Sequence, residues 1–475
     1  SVDERISLRT FKKNMTLISS ISGTRGTIGG KPGDNLTPID AVNFASAFAQ
    51  FIKNTSSKSN PTVVIGRDAR PSGGWLSDLV SSTLIASGVN VVDLGLSTTP
   101  TVEVAVPGLN ADGGIILTAS HNPIEWNALK LLNEKGEFIS GEEGTILVEA
   151  INRGEFDFAS VEEAGSYKLD DTWIQKHVNQ VLNYKHVDKE AIQKANLKVA
   201  VDPVNSTGGL AIPILLDALG VQHVEMINED VSGFFAHNPE PLKENLTEIC
   251  SIVKSKECDL GIVVDPDVDR LALISENGEM FGEEYTLVAI ADYYMKVEKG
   301  NTVSNLSSSR ALRDVTRAAG ANHHASAVGE VNVVEKMKEV GAVVGGEGNG
   351  GIIVPDLHYG RDSLAGIALF LSHYVHSGKT MSEMRASYPN YEMAKNKVQL
   401  KPGMVPDELI EKMKQKYSHE EVNTVDGLKI DFQDGWVHLR KSNTEPIIRI
   451  YTESSTVKSA NDLAKRFEKE LTELI

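Results

Sequence analysis

Cysteine is nearly absent from this chain: Cys250 and Cys258 are the only two in 475 residues. Two thiols cannot build a disulfide framework, and their scarcity predicts a reducing, cytoplasmic setting. Long apolar runs are missing too. None approaches the ~20 residues a membrane span needs, so no membrane partner is expected. The opening stretch SVDERISLRTFKKNMTLISS has no charged-then-apolar leader pattern, and Met15 reads as the natural initiator behind an added or extended leader at 1–14. Basic residues are outnumbered, 47 Lys and Arg against 65 Asp and Glu, for a net charge of −18. No broad positive field is available to offset phosphate repulsion, which excludes nucleic acid as a partner. A small anionic partner stays compatible if positive groups gather locally.

What the chain does contain is ordinary globular material, 41% hydrophobic and 24% charged, long enough for several cores. Three stretches share one pattern: 61–95, 197–227 and 301–329. Each reads as a β-branched strand, a polar loop rich in Gly, Ser, Asp or Arg, an amphipathic helix that stops at Gly88, Gly220 or Gly320, and a second strand. The repetition predicts three related α/β domains with mixed sheets. The C-terminal part differs. VDGLKIDFQDGWVHLRKSN at 425–443 alternates apolar and polar residues around Asp434-Gly435, a hairpin signal; PIIRIYTES is a further strand, and the last twenty residues read as an amphipathic helix. A smaller α+β domain is expected there. The domain limits expected are 1–165, 166–268, 269–388 and 389–475.

Four loops carry chemistry. In GIVVDPDVDRLALI, 261–274, two apolar strands flank Asp265, Asp267 and Asp269. Three carboxylates at alternate positions cannot all be buried without a partner. With Pro266 tightening the turn, they can converge on a hard, oxygen-preferring cation, which suits Mg²⁺. In VVGGEGNGGIIVP, Glu347 and Asn349 sit among glycines that permit close approach to a ligand, and together they can bridge vicinal sugar hydroxyls. In LRKSNTEPIIRI, Arg440, Lys441, Ser442, Asn443, Thr444 and Arg449 form a small anion cradle suited to phosphate. The fourth is ILTASHNP, which ends an apolar strand on Ser120 followed by His121. A triad needs a base oriented by a third group and usually a G-x-S-x-G elbow; no such elbow surrounds Ser120, so a hydrolase triad is disfavoured. Beside a metal and two phosphate-seeking loops, the Ser120 hydroxyl can carry a phosphoryl group.

TASHNP, DPDVDR, GEGNGG and RKSNTEP, in that order across most of the chain, resemble the α-D-phosphohexomutase superfamily. The resemblance implies three α/β domains of one fold plus a C-terminal domain around a central cleft, each supplying one loop. It implies that Ser120 is the phosphoserine, that Asp265, Asp267 and Asp269 hold Mg²⁺ against its phosphate, and that Arg270 sits beside the metal loop. Lys130 matches the general acid/base, with its pKa expected to be lowered by nearby cations or burial, and His121 supports it. Glu347 and Asn349 match the sugar-hydroxyl loop, and Arg440, Ser442, Asn443 and Thr444 the distal phosphate loop. Three departures stand out. Asn127-Ala128-Leu129-Lys130 replaces an N-G-x-K motif. Ile28 stands where the first loop is expected to carry arginine, with Arg25 three places earlier. Gly351 stands where the sugar loop often has histidine, and His358 is the candidate replacement. The implied reaction interconverts hexose 6-phosphate and hexose 1-phosphate, with hexose 1,6-bisphosphate as intermediate and activator. Glucosamine phosphate is the favoured substrate over mannose or glucose phosphate. The distal phosphate loop favours a mutase over a phosphosugar phosphatase. A monomer or homodimer is expected. Of the remaining arginines, Arg67 and Arg70 read as structural, pairing with Asp68 or Asp78.

Overall fold

The computed structural model describes residues 15–20, 23–442 and 445–474, so the leader and Asn443 and Thr444 of the distal loop lie outside the described residues. The chain divides into two compact units. One runs to Glu283 and includes Gly351–Met381; the other comprises Glu284–Gly350 and the chain from Ser382.

The first unit holds a seven-stranded mixed sheet. Its strands are β1 (Ile18–Ser20), β2 (Gly23–Thr27), β3 (Thr62–Arg67), β4 (Asn90–Leu96), β5 (Gly113–Leu117), β6 (Trp126–Leu132) and β7 (Tyr167–Leu169), in the order β1-β2-β6-β5-β3-β4-β7. β3 runs parallel to β4 and β5, while β6 is antiparallel to both β5 and β2. Helix Pro38–Thr55 begins on a capping box, with Thr37 and Asp40 satisfying each other's backbone N–H groups and Pro38 in the first turn. It packs Phe44, Phe48 and Ile52 against Val63, Ile65, Ile115 and Leu117 of the sheet. The opposite face is covered by helix Thr99–Gly108, where Val102 and Val106 meet Val64, Ile116 and Trp173. A second sheet follows: β8 (Lys198–Asp202), β9 (His223–Met226), β10 (Leu260–Val264) and β11 (Leu271–Ser275), ordered β11-β10-β8-β9. β10 and β11 are buried along their whole length, as an apolar run on each side of the Asp-rich turn requires.

In the second unit β12 (Thr302–Asn305) runs parallel to β13 (His323–Ser326) and β14 (Val344–Glu347). The strands β15 (Gly351–Val354) and β16 (His358–Arg361) belong to the first unit, as an antiparallel pair leading into helix Ser363–Ser377, which Asp362 caps. The C-terminal sheet is wholly antiparallel: β17 (Glu392–Gln399), β18 (Glu421–Asn423), β19 (Leu428–Phe432), β20 (Gly435–Lys441) and β21 (Ile447–Ser454), ordered β17-β21-β20-β19-β18. Helix Val457–Leu474 packs Phe467 and Leu471 on one face of it. Within this unit Arg310 joins the α/β part to the C-terminal sheet, donating to the carbonyls of Phe432, Gln433 and Gly435 and to Asp431.

The three strand–helix–strand units fall where the sequence places them, and Gly88, Gly220 and Gly320 follow their helices at φ of 84°, 78° and 79°. The hairpin turn differs by one residue. Gly435 is the first residue of β20, paired with Phe432, so Gln433 and Asp434 form the turn. A Cβ at Gly435 would lie 2.2 Å from the Glu453 carbonyl oxygen, so close strand packing accounts for the glycine.

Candidate active site

Ser120 follows β5 and is held at φ 51°, a left-handed conformation that is sparsely populated for residues other than glycine. The surrounding bonds over-determine it. Its N–H donates to Thr118 Oγ1 (2.9 Å), and the Thr118 hydroxyl donates to Asp68 (2.6 Å). Arg70, fully buried, pairs with Asp68 at 3.0 Å and donates to the carbonyls of Ser120, Asn122, Pro123 and Trp126. One guanidinium thus fastens the loop's backbone at four points. The structural reading of Arg70 holds, and this strained, clamped turn presents the Ser120 hydroxyl.

The Asp-rich turn meets that hydroxyl directly: Ser120 Oγ donates to Asp265 Oδ2 at 2.9 Å. Its own backbone is strained, with the β-branched Val268 at φ 64°. Ser206 and Thr207 donate to the Pro266 carbonyl. Asp265, Asp267 and Asp269 are all buried, and each offers a carboxylate oxygen within 4.8 Å of the others. Burial and the two neighbouring carboxylates push Asp265 well above the ordinary carboxyl range. Burial alone would do the same to Asp267, but Lys130 and the Thr99 hydroxyl outweigh it and hold that carboxyl below the usual range. Asp267 Oδ1 and Asp269 Oδ1 have no hydrogen-bond partner. Orphaned buried carboxylate oxygens converging on one point fit a hard cation that takes oxygen ligands, and this group could bind a metal.

Cationic groups ring the turn. Lys130 Nζ, on β6, lies 3.2 Å from Asp267 Oδ2 with its side chain a fifth exposed. The expectation of a lowered Lys130 pKa is not met here. Burial lowers it, but Asp267, Asp269 and Asp265 together outweigh burial and hold the ammonium above its ordinary value. Arg270 donates its backbone N–H to Asp265. Arg25, on β2, donates to Asn122 Oδ1 at 3.1 Å, and burial together with the Arg270 charge holds it below its usual pKa. Arg25 therefore reaches the Ser120 loop, whereas Ile28 packs against the core. His121 is kept neutral, its pKa lowered to about 3 by burial and by Arg270.

Two groups at this site have no signal in the sequence motifs. Thr99, at the start of its helix, donates its hydroxyl to Asp267 Oδ2 (2.6 Å) and its N–H to the Asp267 carbonyl (2.9 Å). Arg361 donates to Asp269 Oδ2 at 2.8 Å, with both side chains buried. Next to Arg361, Asp362 accepts from His177 (2.7 Å) and His358 (2.8 Å) in the interior. His358 also faces Glu103 at 3.7 Å. A Cβ at Gly360 would fall 1.6 Å from the Glu103 carboxylate, which explains the glycine there. His358 is thus engaged in a buried charge cluster with Asp362 and Glu103.

In the second unit Glu347 ends β14 and accepts from Asn305 at 3.2 Å. Gly348 N–H donates to Ser308 Oγ, and Asn349 follows in the turn. In the C-terminal sheet Arg440 pairs with Asp426 at 3.1 Å and lies across from Arg449 on β21. Ser442 receives the Glu445 N–H on its hydroxyl.

The families described as phosphoglucomutase/phosphomannomutase alpha/beta/alpha domains I, II and III and C-terminal domain match residues 18–158, 175–278, 282–391 and 397–470. The chain belongs to the α-D-phosphohexomutase superfamily and is a phosphohexomutase. A phosphoglucomutase/phosphomannomutase of Thermococcus kodakarensis is 36% identical over 446 residues, 92% of this chain and 96% of that protein. A phosphoglucosamine/phosphogalactosamine mutase of Sulfurisphaera tokodaii is 33% identical, covering 94% and 97%. Among solved structures, a phosphoglucomutase/phosphomannomutase family protein of Burkholderia thailandensis aligns over 96% of each chain at 26% identity and a TM-score of 0.81. Parafusin from Paramecium, at 16% identity and a TM-score of 0.74 over 96% of this chain, shares the fold. Among the described residues no helix is long and apolar enough to cross a membrane.

Proposed function

We propose that Ser120, as a phosphoserine, passes its phosphoryl group to the free O1 or O6 of a hexose monophosphate and recovers one from the other end of the resulting 1,6-bisphosphate. The single observation that carries this reading is the 2.9 Å contact between Ser120 Oγ and the Asp265 carboxylate, in a turn whose other two carboxylates have orphaned oxygens. Asp265, Asp267 and Asp269 would hold Mg²⁺, which supplies charge neutralisation at the phosphoryl group. The chain's own groups do the rest. Arg70 fixes the serine loop. Arg25, Arg270 and Lys130 place positive charge where the transferring oxygens carry negative charge. Lys130, whose ammonium pairs with Asp267, gives its proton to the departing Ser120 oxygen and takes the proton of the attacking sugar hydroxyl, ending as charged as it began, and the neutral His121 adds no competing charge. Glu347 and Asn349 are assigned the sugar hydroxyls. Either phosphate of the bisphosphate must be held while the other reacts, and Arg440, Ser442, Asn443, Thr444 and Arg449 are assigned that task. Hexose 1,6-bisphosphate then serves as activator by phosphorylating Ser120.

Glucosamine phosphate is the proposed substrate, in line with the Sulfurisphaera tokodaii relative's name; the name of the Thermococcus kodakarensis relative keeps glucose and mannose phosphates as the second reading. A coupled assay with the 1-phosphates of glucosamine, glucose and mannose decides between them. The expected result is the highest kcat/KM for the amino sugar, and a higher value for glucose or mannose overturns the substrate assignment.

A further inference from the structure

The second unit contains a strongly basic pocket in a chain whose net charge is −18. It has a volume of about 320 Å³ and opens between helix Ala311–Ala318, β13 and the β18–β19 edge of the C-terminal sheet. Five cationic side chains line it, Arg310, Arg313, Arg317, Lys336 and Lys429, against two carboxylates, Glu421 and Asp431. The surplus is three positive charges, counted over the same lining residues. Asp431 is already taken by Arg310 at 2.9 Å and Arg313 at 3.7 Å, and Lys336 pairs with Glu339.

Lys429 is the informative member. It is 8% exposed, and its ammonium lies 4.6 Å from the centre of the Trp436 ring. Among the described residues it makes no hydrogen bond or ion pair with a carboxylate. A lysine this buried is ordinarily paired, and a ring face offsets only part of its desolvation. Burial accordingly holds its ammonium below the ordinary value. Arg317, exposed on its helix, also lines the pocket, and no ion pair to a carboxylate is found for it among the described residues. The floor of the pocket touches the glycine-rich loop: Asn305 and Ser308 line it, and they bind Glu347 and the Gly348 N–H.

We propose that this pocket binds a small phosphorylated anion, as a site separate from Ser120 and from the Arg440 loop, and that its occupant bears on the Glu347 loop through Asn305 and Ser308. A phosphoryl group supplies the two negative charges and the several acceptor oxygens that Lys429 and Arg317 call for, and a guanidinium fork suits it, while Arg313 is already paired with Asp314 at 3.3 Å. The volume lies at the small end of ligand sites, with room for a phosphoryl group and a modest organic portion.

The test uses the full chain. Crystals are soaked in tungstate, a phosphate mimic, and the anomalous signal located. Calorimetric titrations with inorganic phosphate and with a nucleoside diphosphate are run on wild type, Arg317→Gln and Lys429→Met. The expected result is a tungstate peak within hydrogen-bond reach of Lys429 Nζ, and pocket affinity weakened about tenfold in Arg317→Gln. Arg317 is exposed on its helix, so that variant remains informative if Lys429→Met does not fold. Tighter binding of the diphosphate identifies an organic phosphate as occupant, and equal binding identifies inorganic phosphate; both support the site. Tungstate confined to other positions, or affinities unchanged in Arg317→Gln, overturns it.

Discussion

Raising the pH from 7 to 10 should weaken the first unit through a single imidazole, His358. Burial alone would lower its pKa, but hydrogen bonds to Asp362 and Glu103 and their charges outweigh burial and raise it from 6.5 to about 10. The folded-state pKa lies above the unfolded one, so the stabilisation is fully present below pH 6.5 and is lost as the pH climbs through about 10. Between those values the folded chain holds one proton that the unfolded chain does not. Stability then falls by about 1.36 kcal/mol per pH unit, or about 3.5 kcal/mol from pH 7 to pH 10. His358→Asn removes the titrating group. At pH 7 it leaves buried carboxylates short of a cation and should cost about 3–5 kcal/mol. Urea denaturation of wild type and variant at pH 7, 8, 9 and 10, followed by tryptophan fluorescence, measures the gap. The gap should narrow steadily as the pH rises. A gap as large at pH 10 as at pH 7 would refute the reasoning, because the cluster would then not depend on a protonated His358.

Arg70→Lys should lower stability by about 3 kcal/mol and reduce kcat, since an ammonium cannot reproduce a fork that binds Asp68 and four carbonyls at once; thermal melts and rates measured together check this, and a wild-type kcat would count against the clamp. Asp267→Asn should raise the Mg²⁺ concentration for half-maximal activity at least about tenfold, because one charged oxygen ligand is lost; an unaltered metal titration would remove Asp267 from the metal set.

The sequence exposes the parts of this molecule that depend on neighbours in the chain. The strand, helix and stop glycine of each α/β unit are local signals, and so is the burial of both strands around Asp265, Asp267 and Asp269. The serine loop and metal loop could be named from composition and spacing, and the resemblance joined them. Pairings between distant residues were hidden. Thr99 and Asp267 are 168 positions apart, and Arg361 and Asp269 are 92 apart. A threonine opening a helix and an arginine ending a strand look like ordinary structural residues until the fold places them against carboxylates. The raised pKa of Lys130 is hidden for the same reason: the cations and the burial are visible in the sequence, but the combined field of three aspartates depends on distances. The charge cluster around His358 is hidden likewise, because Glu103, which faces His358, and His177, which shares Asp362 with it, lie far away in sequence.

The central claim is that Ser120 carries the phosphoryl group, and the most direct measurement is intact mass with phosphopeptide mapping after exposure to hexose 1,6-bisphosphate and Mg²⁺. The account predicts one added phosphoryl group on Ser120, its discharge on addition of hexose monophosphate, and neither label nor turnover in Ser120→Ala. A label on another residue, or wild-type turnover in Ser120→Ala, would contradict it.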